Sequence, residues 1–263
     1  MNLNDPIGVF DSGVGGTSIW KEIHGLLPFE HTYYLADSRN APYGNRSSDE
    51  IVALSIKNTE KLISLGSKII VVACNTATTN AISVLRSNFD LPIIGIEPAI
   101  KPAALHTKTG SIGILATKGT LSSKLFHTTS ALFARDISVL EIVGEGLVAL
   151  IEEGDLNSPK LKSLLQAYLN PMIEANIDHL VLGCSHYPYL IPLLRELLPE
   201  SVKIIDSGEA VAKQTKTLLE EDKLLRKERT KPKLQFYTNS DTSTLEYLLQ
   251  SYGDTIQIEQ HDF

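Results

Sequence analysis

The chain has 263 residues, 43% hydrophobic and 21% charged, with a formal net charge of -7, so a nucleic-acid-coating surface, which draws on clustered Lys and Arg, is excluded as a first reading. Two cysteines are too few for a disulfide-stapled secreted scaffold, no basic segment precedes an apolar run at the N-terminus, and no apolar run is long enough to span a bilayer. What remains is a cytoplasmic globular protein with one large core or two modest ones, free of membrane association and able to hold a small anion on local N–H groups.

From the N-terminus, residues 7–10, 32–36, 68–73 and 93–96 are short β-branched or apolar runs that read as buried strands. Residues 111–116, 137–142, 179–182, 203–205, 234–237 and 255–258 read the same way. Helical spacing fills the gaps, over 49–65 behind a capping box of Ser47 and Glu50, and over 159–175 and 209–225. The charged run 220–233 reads as a solvated helix end and loop without chemistry. Alternation of this kind predicts an α/β fold with mostly parallel sheets flanked by helices.

Two internal echoes sharpen the reading. Ile7-Gly8-Val9-Phe10-Asp11-Ser12 resembles Ile112-Gly113-Ile114-Leu115-Ala116-Thr117, and Ile70-Val71-Val72-Ala73-Cys74-Asn75-Thr76 resembles Leu180-Val181-Leu182-Gly183-Cys184-Ser185-His186, at near-equal offsets. They predict two pseudo-symmetric α/β domains. The first comprises residues 1–97 plus 208–263, the second residues 98–207, and the active site lies between them.

Both cysteines stand just after a predicted strand and before a predicted helix, at the strand end where open α/β sheets bind ligands. A helix N-terminus there favours thiolate. Two thiols facing one ligand from opposite sides suit racemisation, which removes a proton from one face of a carbon and delivers another to the opposite face. Donors flank both: Asn75 and Thr76, which plain N-capping also explains, and Ser185 and His186. Asp11-Ser12-Gly13-Val14-Gly15-Gly16 follows the first strand, its glycines permitting unusual backbone angles and close approach of an anion. A dinucleotide fingerprint fails there because its third glycine falls at Ser18. Asp11 reads either as an N-cap or as a second base beside a thiol. The stretch 37–44 reads either as a turn or as a loop over the site that contributes Tyr43. The seven histidines show no zinc-ligand spacing beside either cysteine.

The strings DSGVGG, DSRNAPYG, ACNTAT, GIEPAI, GILATKGT and LGCSHYP, in that order over roughly residues 7–188, resemble the glutamate racemase family. That resemblance implies a homodimer that uses no cofactor and no metal, binds glutamate, and supplies D-glutamate for peptidoglycan synthesis. It implies that Cys74 takes the proton from the D-isomer and Cys184 from the L-isomer. Asp11, His186 and Glu152 would assist, with Glu153 adjacent to the last and Asp37 a further helper. Substrate contacts would fall to Asp11, Ser12, Tyr43, Gly44, Asn75, Thr76, Thr117, Thr120, Ser185 and His186. The family usually has Thr where this chain has Ser185, which keeps the hydroxyl. Asp11 lies too near the start for the N-terminal extension that some members link to activation by a cell-wall precursor, so no such activation is expected. Rival readings are another amino-acid racemase of the same superfamily, a Cys184–His186 acyl-transfer enzyme, which leaves Cys74 unexplained, and a binding protein with structural thiols.

Overall fold

The computed structural model describes residues 2–263. Its strands are β1 (Ile7–Asp11), β2 (Thr32–Ala36), β3 (Ile69–Val72), β4 (Ile93–Gly95), β5 (Ser111–Ala116), β6 (Ser138–Val143), β7 (His179–Gly183), β8 (Lys203–Ile205), β9 (Leu234–Thr238) and β10 (Gln257–Gln260). They form two sheets, ordered β10-β9-β2-β1-β3-β4 and β6-β5-β7-β8, and every strand pair is parallel. The order β2-β1-β3-β4 recurs as β6-β5-β7-β8, so the internal echoes mark equivalent strands. β1 matches β5 at the centre, and β3 matches β7, with Cys74 two residues past the end of β3 and Cys184 directly past the end of β7.

Central parallel strands are covered on both faces and must be apolar throughout. β1, β3, β5 and β7 are buried at every residue, whereas the edge strands β6 and β10 alternate with exposed positions. Strand ends shift by about one residue from the sequence reading, except that the last strand starts at Gln257 because Gln250–Thr255 folds into 3-10 turns. The capping box is present: Glu50 N–H donates to Ser47 Oγ at 3.3 Å, and Ser47 N–H donates to Glu50 Oε2 at 3.0 Å.

Chain 208–221 returns to the first sheet. The helix Gly208–Glu221 packs on the helix Thr17–Leu26, and Val211, Ala212 and Leu219 share one core with Ile19, Ile23 and Trp20. A second core gathers Leu147, Ile151, Leu165, Leu182 and Tyr187. Leu156 and Tyr189 pack against both. The charged run behaves differently from its solvated reading at Arg226, whose backbone N–H donates to Glu30 Oε1 and whose guanidinium donates to Phe29 O and Thr230 Oγ1. Glu30 Oε2 in turn accepts from the fully buried Lys68 at 2.6 Å. A buried ammonium needs a partner, and the carboxylate of Glu30 with the carbonyls of Leu3 and Leu224 supplies three.

Candidate active site

Cys74 follows β3 and itself caps the helix Asn75–Asn88, its Sγ accepting from Ala77 N–H at 3.4 Å and donating toward Ser12 Oγ at 3.6 Å. The thiol therefore takes the capping position that Asn75 or Thr76 was free to fill. The helix end does not make it a thiolate at rest. Burial at 4% exposure, then the nearby Asp11 carboxylate, push the Cys74 thiol well up, against the opposing pull of the Ala77 N–H and Ser12. Charge on Cys184 pushes the same way.

Cys184 follows β7 but no helix starts behind it; Ser185 and His186 intervene before a 3-10 turn at Tyr187–Leu190. The helix-end environment expected for both thiols is thus confined to Cys74. Cys184 Sγ instead lies 3.7 Å from His186 Nδ1. On the other side of that ring, Nε2 meets Glu152 Oε1 at 2.5 Å. Burial works to lower the His186 pKa, yet the contacts with Cys184 and Glu152 outweigh it and hold the imidazolium well above its ordinary range. Glu152 also accepts from Val14 N–H at 2.7 Å and, through Oε2, from Ser38 Oγ at 3.0 Å. Glu153 closes the helix Leu147–Glu152 and lines the neighbouring cleft, away from His186.

Asp11 is fully buried at the end of β1 and accepts from Gly13 N–H at 3.1 Å and Ser185 Oγ at 2.9 Å. It caps no helix, since Gly16 holds that place before Thr17. Burial raises its carboxyl pKa, opposed by His186 and reinforced by Glu152.

The two thiols open on the same space. Ser12, Tyr43, Gly44, Cys74, Asn75, Thr76, Thr117, Cys184, Ser185 and His186 line one narrow cavity of about 10 Å³, the space of about one water, so the walls must part to admit a substrate. Of the residues singled out from sequence, Asp11, Glu152 and Thr120 stand behind that lining. A wider cleft of about 440 Å³ adjoins it, with Pro42 and Val148 on both. Both polar atoms of the Asn75 side chain are buried there without a partner. Unpaired buried amides are costly, which marks this one as a place for a ligand's polar group. Across the cavity the hydroxyls of Thr76, Thr117 and Thr120 bond one another at 2.7, 3.0 and 3.2 Å, a cluster that is free to re-aim at a carboxylate. The stretch 37–44 runs through two 3-10 turns, Ser38–Asn40 and Tyr43–Asn45, and lines the cavity with Pro42, Tyr43 and Gly44, Tyr43 being buried.

The glycines of DSGVGG serve close approach only. The positive-φ glycines lie elsewhere, at Gly66, Gly110, Gly146, Gly154 and Gly253. A Cβ on Gly13 would overlap the Glu152 carboxylate, and one on Gly15 the His186 ring. Gly15→Ala is expected to displace that ring and lower kcat about 100-fold, the scale of a misplaced catalytic group, with little change in the urea midpoint; steady-state kinetics beside an unfolding curve checks it.

Sequence reasoning missed Ser38, Asn58 and Asn239, which bond Glu152, Tyr43 and Asp37 respectively. Asn239 carried a usable signal, because it stands directly after a strand, where the other site residues also cluster. Among the described residues, no three His, Cys, Asp or Glu side chains gather as a metal-binding set.

Residues 9–215 match the family Asp/Glu/Hydantoin racemase. The chain is 48% identical over 221 residues to the glutamate racemase of Ectopseudomonas mendocina, which covers 84% of each protein. Its structure superposes on a glutamate racemase isoform from Bacillus anthracis with a TM-score of 0.87 at 31% identity, covering 100% and 99% of the two chains. It also superposes on the glutamate racemase of Francisella tularensis, solved in complex with D-glutamate, with a TM-score of 0.85 at 30% identity over 99% and 98%.

Proposed function

The chain belongs to the glutamate racemase family, and we propose accordingly that it interconverts L- and D-glutamate without a cofactor, using Cys74 and Cys184 as the two bases. One observation carries the assignment of the bases: the only two cysteines of the chain, from different sheets, line the same cavity.

In the L-to-D direction Cys184 acts as thiolate beside the His186 imidazolium. It takes the α-proton, so a C–H bond breaks and an S–H bond forms. Cys74, kept protonated by burial and Asp11, gives its proton to the opposite face. The reverse direction exchanges the roles, with Asp11 the charged group that acts on Cys74 and His186 the group 3.7 Å from Cys184. Burial raises the Asp11 carboxyl above its ordinary range, which makes it a better proton acceptor for relay. Charge that develops on the substrate carboxylate meets the amide of Asn75 and the hydroxyls of Thr76, Thr117 and Ser185, with Thr120 bonded behind Thr76 and Thr117. Ser12, Tyr43 and Gly44 close the remaining walls.

Residues 1–97 with 208–263 form one domain and 98–207 the other, a division supported by which strands share a sheet. The protein works as a homodimer in the cytoplasm and supplies D-glutamate to peptidoglycan synthesis; sedimentation of the purified protein tests the dimer. No helix among the described residues is long and apolar enough to cross a membrane. Circular dichroism of L-glutamate with purified protein and no added cofactor tests the reaction. Decay of the signal to zero is expected. A stable signal, or racemisation of L-aspartate in its place, refutes this reading.

A further inference from the structure

The loop that brings Tyr43 and Gly44 to the cavity hangs on one buried carboxylate. Asp37 follows β2, is 2% exposed, and accepts at both oxygens. Asn40 Nδ2 at 2.8 Å and Asn239 Nδ2 at 2.5 Å reach Oδ1, and the Tyr43 hydroxyl at 2.5 Å reaches Oδ2. Asn58 Nδ2 donates to the Tyr43 hydroxyl at 3.0 Å, so that ring is gripped from two sides. Asn239 comes from a distant part of the chain, directly after β9, and is likewise 2% exposed. Its Nδ2 holds Asp37 while its Oδ1 accepts the backbone N–H of Arg39 at 2.9 Å. One amide thereby closes the first turn of the loop.

We infer that Asn239 is a positioning residue for racemisation: it fixes Asp37 and the start of the loop, and through them holds Tyr43 and Gly44 against the substrate cavity. This rests on the racemase reading above. The chemistry requires a side chain that donates on one side and accepts on the other. Aspartate has the same shape and still accepts from the Arg39 N–H, but it sets a second carboxylate against Asp37, where like charges repel. Alanine leaves the Arg39 N–H without a partner and Asp37 Oδ1 with Asn40 alone, and adds no repulsion. A side chain that merely filled space would show the opposite order, with isosteric aspartate tolerated better than alanine.

Steady-state racemisation by Asn239→Ala and Asn239→Asp, beside the unaltered protein, tests this. KM for glutamate is expected to rise about three- to ten-fold in N239A and further in N239D, with kcat changing less, as for lost ground-state positioning. Alkylation of the cavity thiols by iodoacetamide is expected to accelerate in the same order, because the loop no longer covers them. KM and alkylation within about two-fold of the unaltered protein in both variants, or N239A worse than N239D, overturns the inference. Should N239D fail to fold, a cycle of N239A with Tyr43→Phe decides. Non-additive effects on KM uphold the path through Asp37 and Tyr43, and additive effects overturn it. An unaltered protein that leaves glutamate untouched refutes the racemase reading itself, and the alkylation rates still decide the role of Asn239.

Discussion

Cys74→Ala and Cys184→Ala are each expected to lower kcat/KM for glutamate on the order of 1000-fold or more in both directions, the upper part of the range for losing a positioned acid or base. Every turnover uses both sulfurs, one as base and one as acid. Removing either therefore stops inversion from both isomers. The double variant is expected to be no slower than the worse single one, since groups that act as a unit are not additive. Far-UV circular dichroism is expected to stay unchanged, because each side chain is small and faces the cavity. A residual half-reaction distinguishes the two. With Cys184 replaced, Cys74 still exchanges the α-proton of D-glutamate with deuterated solvent, without inversion, and L-glutamate does not exchange. With Cys74 replaced, only L-glutamate exchanges. Near wild-type racemisation by either single variant contradicts the assignment.

The second large effect is expected at Glu152. Its carboxylate holds the His186 ring at Nε2 and ties it to Val14 N–H and Ser38. Glu152→Gln keeps the size but removes the charge, so about 100-fold is expected to be lost from kcat/KM, the scale for a disoriented acid–base partner. Because the isomers are of equal free energy, kcat/KM must fall equally in the two directions, and any asymmetry appears only in kcat and KM separately. The pH profile carries the sign. Glu152 is one of the contacts that raise the His186 pKa, so the imidazolium persists as pH rises and activity is lost only through that raised value. Without the carboxylate the pKa falls, and the alkaline limb of kcat/KM moves to lower pH. A limb that stays in place shows that Glu152 does not act through His186.

The parallel sheets were legible because strands covered on both faces write continuous apolar runs, and β1, β3, β5 and β7 are such runs. The paired thiols were legible because they are the only two and each follows a strand. Other features depend on how distant segments meet. Glu152 and Glu153 are neighbours in sequence, but adjacent helical residues point in directions about 100° apart, and only the placement of the helix Leu147–Glu152 decides which reaches His186. The glycines at 13 and 15 read as permitting unusual backbone angles and the close approach of an anion, and what they make room for is the carboxylate of Glu152 and the ring of His186. The hold on the Tyr43 loop needs Asn239, supplied by a strand added at the far edge of β2. Arg226 sits in a run of charges that reads as solvated, and its folding inward comes from partners distant in sequence, Glu30 of the buried pair with Lys68 and the carbonyl of Phe29.

The most direct measurement follows racemisation of L-glutamate in deuterated water by proton NMR at low conversion. Two bases on opposite faces predict that the D-glutamate formed carries deuterium at the α-carbon while the remaining L-glutamate keeps its proton. Deuterium appearing at the same rate in both isomers would mean that one base serves both faces, and would contradict the account.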